Sequence, residues 1–174
     1  MPLAVNDFWD YEPRDAVAVS SRMNTLARDA CRTDLVRRLR LARPGSARQW
    51  GRMNAHQMVC HLSDCSRMAL GQKRTSDASS PLRRTLIKWL ALYTPLRWRP
   101  GLVTTPEVDQ EMGGTKPAEF SADLKEAEDL LALVASRAGS RDWPDHPVFG
   151  RMSEGDWMRW AYLHTDHHLR QFGL

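Results

Sequence analysis

Residues 153–172 read Ser153-Glu-Gly-Asp-Trp-Met-Arg-Trp-Ala-Tyr-Leu-His164-Thr-Asp-His-His168-Leu-Arg-Gln171-Phe172. Ser153 followed three residues later by Asp156 has the pattern of a capping box made with an acid, so a helix is expected from Glu154 to about Phe172. At about 100° per residue, with His164 set at zero, Trp157 falls near 20°, His168 near 40°, Gln171 near −20° and Ala161 near 60°. Asp166, Arg159 and Arg170 project from the far side, which reads as solvated. One face therefore carries an aromatic ring, two imidazoles and an amide, and it has to be laid against other helices. His164 and His168, at i and i+4, leave that face one turn apart, the spacing that lets two nitrogens reach one divalent ion. His167, at about −60°, sits at its edge.

Working outward, the loop Pro144–Gly150 separates this helix from a run over Ser121–Ala138. There Leu124, Ala127, Leu130, Leu131 and Val134 recur at helical spacing and Gly139 follows. Upstream lies a polar linker, 72–81, then a short helix over Leu82–Tyr93 and an extended loop to about Pro117, interrupted by Pro95 and Pro100. The Gly113-Gly114 pair marks a turn or hinge, and a connection this long reads as a lid, a pocket wall or an interface element. Asn54 and Gln57 form a second capping box ahead of a helix over Ala55–Ala69, which stops before Gly71. On it Gln57, Met58, His61, Cys65 and Met68 share an arc of about 100°, and His56 points nearly the opposite way. An amphipathic helix from about Thr25 to Ala42 comes first, behind an irregular arm over residues 1–24. No strand pattern competes with these helices. The expectation is an all-α domain over 25–174: a four-helix bundle with one accessory helix and a long loop.

The 174 residues, 42% hydrophobic, suit a single core. No apolar run of about 18 residues is present, so no membrane-spanning helix is expected. Cys31, Cys60 and Cys65 are odd in number and lack CxxC spacing, which disfavours a disulfide framework and a four-cysteine zinc site. The N-terminus shows no basic segment leading into an apolar stretch. A soluble, cytoplasmic protein is expected. The chain holds 21 arginines and four lysines, and nine of the arginines fall within residues 22–52 beside only Asp29 and Asp34. No nucleic-acid motif accompanies that basic stretch, so it reads as a solvated helix face, and neither nucleic acid nor a membrane is the expected partner.

Two imidazoles do not make a site, and a third ligand has to come from another helix. His61 is the remaining histidine on an inward stripe of a well-defined helix. His61, His164 and His168 thus form the candidate metal site, with Gln171 and Gln57 on the same faces as supporting polar groups. Three imidazole ligands leave coordination positions for chemistry and suit Zn²⁺ or Ni²⁺. Cys65, one turn beyond His61, is close enough to ligate or to act as a redox thiol, but a small buried core residue is the favoured reading. No glutamate stands beside His164, and Asp166 points away, which disfavours a peptidase.

Two stretches carry a family resemblance. One is Trp50-Gly-Arg-Met-Asn-Ala-His-Gln-Met-Val-Cys-His61-Leu62. The other is His146-Pro-Val-Phe-Gly150, leading through Trp157 to His164-Thr-Asp-His-His168-Leu-Arg-Gln171-Phe-Gly173. Together they resemble the DinB-like superfamily over residues 25–172, and within it a bacterial branch described as a domain of unknown function. The resemblance implies a DinB-type four-helix bundle, often a homodimer, holding a divalent metal on three histidines that fall on His61, His164 and His168, with the trailing amide on Gln171. Relatives of this type include S-transferases that use bacillithiol or mycothiol and a mycothiol-dependent isomerase. No DNA binding is implied.

The expected function is therefore that of a metal-dependent enzyme, a thiol-dependent transferase or a hydrolase-like protein, acting on a small molecule with a low-molecular-weight thiol as cosubstrate. The alternative is a non-enzymatic bundle stapled by its metal, or a stress-related binding module.

Overall fold

The computed structural model describes residues 23–102 and 104–174. The irregular arm expected over 1–24 thus lies, except for Met23 and Asn24, outside the described residues. Five α-helices follow in order: α1 (Asp29–Leu39), α2 (Ala55–Ala69), α3 (Lys88–Tyr93), α4 (Phe120–Ser136) and α5 (Glu154–Gln171). A π-helical turn over Arg83–Ile87 runs directly into α3, and a short 3₁₀ turn covers Pro106–Val108. Among the described residues no strand forms, and the isolated His146–Gly150 bridge only closes the loop before α5. The chain is all-α.

Local chemistry accounts for the helix ends. Asn54 Oδ1 accepts from Gln57 N and Gln57 Oε1 accepts from Asn54 N, each at 2.8 Å. Ser153 and Asp156 make the same reciprocal pair at the start of α5. Each box satisfies amides that the first helical turn would otherwise leave orphaned. Glu119 caps α4, its carboxylate accepting from the amides of Ser121 and Ala122. α1 starts at Asp29 rather than near Thr25, because the preceding segment is tied elsewhere: Leu26 N donates to Met158 O of α5 at 3.0 Å.

α2 lies along α4, α1 lies along α5, and α3 rests on α5. Trp157, Met58, Leu26, Leu35 and Leu169 are fully buried in the core between them. α2 also touches α5 and the 3₁₀ turn, so it is enclosed all round: Met58, Val59, Cys60, His61, Leu62, Ser63, Asp64 and Cys65 are all buried. This corrects the single inward arc read from periodicity. His56 does not face solvent; its Nε2 stands 2.7 Å from Asp123 Oδ2 on α4. The far face of α5 is likewise only partly solvated. Asp166 accepts from Arg38 of α1 at 2.8 Å, and Arg159 Nε donates to Leu92 O at 2.9 Å.

In the basic stretch, Arg32, Arg37, Arg38, Arg40 and Arg52 are each paired with a carboxylate. No helix of the described residues is long and apolar enough to cross a membrane.

The connection before α4 is a wall against α2. Val108, Asp109 and Gln110 are buried. Asp64 of α2, with no exposed surface, accepts from Thr115 N and Oγ1, each at 2.7 Å, and from Gln110 Nε2 at 3.0 Å. Lys73 Nζ lies 2.8 Å from the same carboxylate. The Gly113-Gly114 pair is a closed turn, with the Gly114 amide donating to Asp109 O at 2.8 Å. A Cβ on Gly114 would stand 2.8 Å from that carbonyl, so only glycine fits.

Candidate metal centre

α2 and α5 bring His61, His164 and His168 together across the middle of the molecule. The ring centroids of His61 and His164 are 5.1 Å apart, those of His61 and His168 4.6 Å, and those of His164 and His168 4.7 Å. His61 and His168 are buried and His164 is partly buried.

Hydrogen bonds determine which nitrogen each ring presents. His61 Nδ1 lies 2.7 Å from Val108 O. A carbonyl only accepts, so Nδ1 carries the proton and Nε2 the lone pair. His168 Nδ1 lies 3.0 Å from Gln171 Oε1. That amide's orientation follows from its other end, where Gln171 Nε2 donates to Trp50 O at 2.9 Å. His168 therefore also presents Nε2 as a lone pair. His61 Nε2 and His164 Nε2 stand 3.2 Å apart, a contact that needs a proton or a cation between them. Two nitrogens each about 2.05 Å from a tetrahedral ion would be about 3.3 Å apart.

Burial holds all three imidazoles below the ordinary histidine range, most strongly His164 and His168. For His164 the neighbouring rings add to the effect, because a second positive charge so close is disfavoured. The cluster is thus neutral and ready to ligate at neutral pH.

Cys65 reads from the sequence as core filler. It is buried, but its Sγ lies 3.6 Å from His61 Nε2, and Cys65, His61 and His164 offer donor atoms that all lie within 4.8 Å of one another, a set that takes in Cys65 and leaves out His168. Gln57, a supporting group in the sequence reading, spends its side-chain oxygen on the Asn54 cap. His167, at the edge of the face, is buried, with its ring 6.0 Å from both Trp50 and Trp98.

Trp160 stacks on His164, centroids 4.7 Å apart at 17°, and meets His146 edge-on. Trp98, from the loop after α3, stands 6.3 Å from His164. It is held by its Nε1 donating to Ala91 O at 2.9 Å. These two indoles limit water at the imidazoles.

A second cluster, His56, Cys60 and Asp123, also places its donor atoms within 4.8 Å. Its 2.7 Å nitrogen-to-oxygen distance is that of a charge-assisted hydrogen bond, and it is shorter than the roughly 3.3 Å that two donors keep around a tetrahedral ion. Burial pushes both thiols up, Cys60 to about 12 and Cys65 above its usual range as well, so each keeps its proton unless a cation replaces it. The two differ in what they face. Cys60 Sγ donates toward the Asp123 carboxylate, whose charge keeps the proton on sulfur, whereas Cys65 Sγ faces an imidazole lone pair.

One part of the centre is hidden from a sequence reading and another is under-weighted by it. Val108 acts through its backbone carbonyl, which has no side-chain signature. Cys65 does carry a signal, the i+4 spacing from His61, but burial alone accounts for most cysteines at such positions.

Comparison with curated proteins and with solved structures finds no match. A family model does match residues 21–173, spanning the whole region that holds α1 to α5 and all three histidines. The chain belongs to the family described as Protein of unknown function (DUF1569).

Proposed function

We propose that this chain is a divalent-metal-dependent enzyme built on a DinB-type four-helix bundle, acting on a small-molecule substrate with a low-molecular-weight thiol as cosubstrate. The observation that carries the metal is the 3.2 Å approach of two Nε2 atoms, one of them left as a lone pair by its ring's bond to Val108 O. His61, His164 and His168 are the proposed ligands. Zinc or nickel suits such donors, and when bound it supplies Lewis acidity that polarises a substrate or favours thiolate over thiol. The chain's own residues prepare the site. Val108 O and Gln171 Oε1 fix the tautomers of two ligands, and burial keeps the rings unprotonated. Trp98 covers His164 from a loop rather than from a helix, so the substrate is proposed to approach on that side.

The metal is tested by elemental analysis of protein purified without a histidine tag. One ion per chain is expected, and His164→Ala should lower occupancy at least tenfold under matched metal supply. Unchanged occupancy in that variant would remove the proposed centre.

A second reading, a metal staple without catalysis, is favoured by one observation. The void bordered by Cys65, His164, Trp160, Leu62 and Leu131 is about 10 Å³, room for one water-sized occupant at most. The two readings differ in what metal removal does to the folded state.

A further inference from the structure

We propose that Cys65 Sγ is a fourth donor to the ion held by His61, His164 and His168, so that the resting centre is one thiolate and three imidazoles. The proposal rests on the metal reading above and adds a ligand to it, so that substrate or thiol reaches this ion by expanding its coordination or displacing the sulfur.

Geometry supplies the first support. Around a tetrahedral ion with a metal–sulfur bond of about 2.3 Å and a metal–nitrogen bond of about 2.05 Å, the sulfur and nitrogen stand about 3.6 Å apart. Cys65 Sγ and His61 Nε2 are 3.6 Å apart, and His61 Nε2 and His164 Nε2 are 3.2 Å apart, so these two edges have the lengths one ion requires; Cys65, His61 and His164 are the three whose donor atoms lie within 4.8 Å of one another, and His168 joins them at the level of ring contact, its centroid 4.6 Å from that of His61. The spacing comes from α2 itself: residues 61 and 65 are one turn apart on a buried helix, so sulfur and imidazole face the same point.

Charge supplies the second. Three neutral imidazoles leave a buried divalent ion with its full charge uncompensated, which is costly away from water. The neighbouring carboxylates are engaged elsewhere: Asp64 with Lys73 and Thr115, Asp109 with Arg52. Cys65 is the group at the centre that can bring a negative charge. On binding, the ion displaces the Sγ proton to solvent, one proton per ion, and the buried charge falls from two to one. A soft sulfur donor in a four-coordinate set also favours Zn²⁺ over the nickel that an all-imidazole set admits equally well.

The test is cobalt substitution of the full-length, untagged protein, because Co²⁺ reports both its geometry and its sulfur ligands. Wild type stripped by chelator and reloaded with one equivalent of Co²⁺ should show tetrahedral d–d bands together with a thiolate-to-cobalt charge-transfer band in the near ultraviolet. Cys65→Ser should keep d–d absorption but lose the charge-transfer band. Its zinc Kd should rise by more than the roughly 10- to 100-fold typical of losing a group that only orients a ligand. Cys60→Ser should retain both signatures. Zinc-edge X-ray absorption of wild type, which needs no variant to fold, should show one sulfur scatterer. d–d bands without the charge-transfer band, together with a zinc shell of nitrogen and oxygen alone, would leave the metal centre standing and overturn the Cys65 ligand. Failure of wild type to bind cobalt or zinc would overturn the centre and the ligand together.

Discussion

His146 has almost no means of carrying a charge in the folded protein. Its Nδ1 accepts from the amides of Val148 and Phe149, at 3.1 and 3.2 Å, and its buried Nε2 has no partner among the described residues. Burial drives its pKa down to about 3. The unfolded chain titrates near 6.5, so below that pH the unfolded state takes a proton that the folded state refuses, and stability falls with pH until about 3. At pH 5 this one residue costs about 2 kcal/mol relative to pH 7. His146→Asn keeps an acceptor for the two amides and has no proton to take up. Urea denaturation of the metal-free proteins at pH 7 and pH 5 should show the variant losing about 2 kcal/mol less than wild type. Since both proteins share the other histidines, parallel pH profiles would mean that His146 titrates normally in the fold. Sequence alone places His146 in a motif but not in this role. Two backbone amides aimed at one ring nitrogen depend on a tight loop closed by the His146–Gly150 bridge, which residue types do not reveal. His164 and His168 are legible for the opposite reason, because a single helix fixes their relation.

Helices bounded by short-range chemistry are legible to within a residue or two. The Asn54/Gln57 and Ser153/Asp156 boxes act over three residues, and both form. The surroundings of α2 are not legible. Nothing within its sequence says that the 105–115 segment, some 50 residues later, closes over it. Asp64 makes that closure. Burial on its own would raise its pKa, but hydrogen bonds from Lys73 and Thr115 outweigh burial and hold the carboxyl below its usual range. The same segment carries Val108, whose carbonyl orients His61, so Asp64 positions a proposed ligand indirectly. Asp64→Ala strands Lys73 and the Thr115 amide, and the expected cost is about 3–5 kcal/mol of unfolding free energy. Hydrogen exchange should locate the damage at residues 105–115. A loss below about 1 kcal/mol, or exchange unchanged in that segment, would show that the wall is held by its apolar contacts instead.

Taken whole, the molecule is two helix pairs, α2 with α4 and α1 with α5, meeting along a seam where α2 touches α5 less extensively. The histidines lie on that seam, one from α2 and two from α5, so a bound ion joins the pairs. Other groups span it too. Leu62 and Cys65 of α2, Leu131 of α4 and Trp160 and Ala161 of α5 border a single small void, and Arg40 at the end of α1 pairs with Glu128 of α4. Buried apolar groups of this size supply stability without metal. The metal-free protein should therefore stay folded and unfold in one transition. Zinc at about 100 times its Kd adds about 2.7 kcal/mol, and for a chain of this length that raises Tm by about 5–10 °C. His164→Ala should show little of that rise. Calorimetry of stripped and reloaded protein decides between the two functional readings. A single cooperative transition in the stripped protein, shifted down by about 5–10 °C, leaves the ion free to serve chemistry. Loss of the cooperative transition on stripping would make the ion the staple that holds the seam closed, because the apolar contacts across it would then be insufficient on their own.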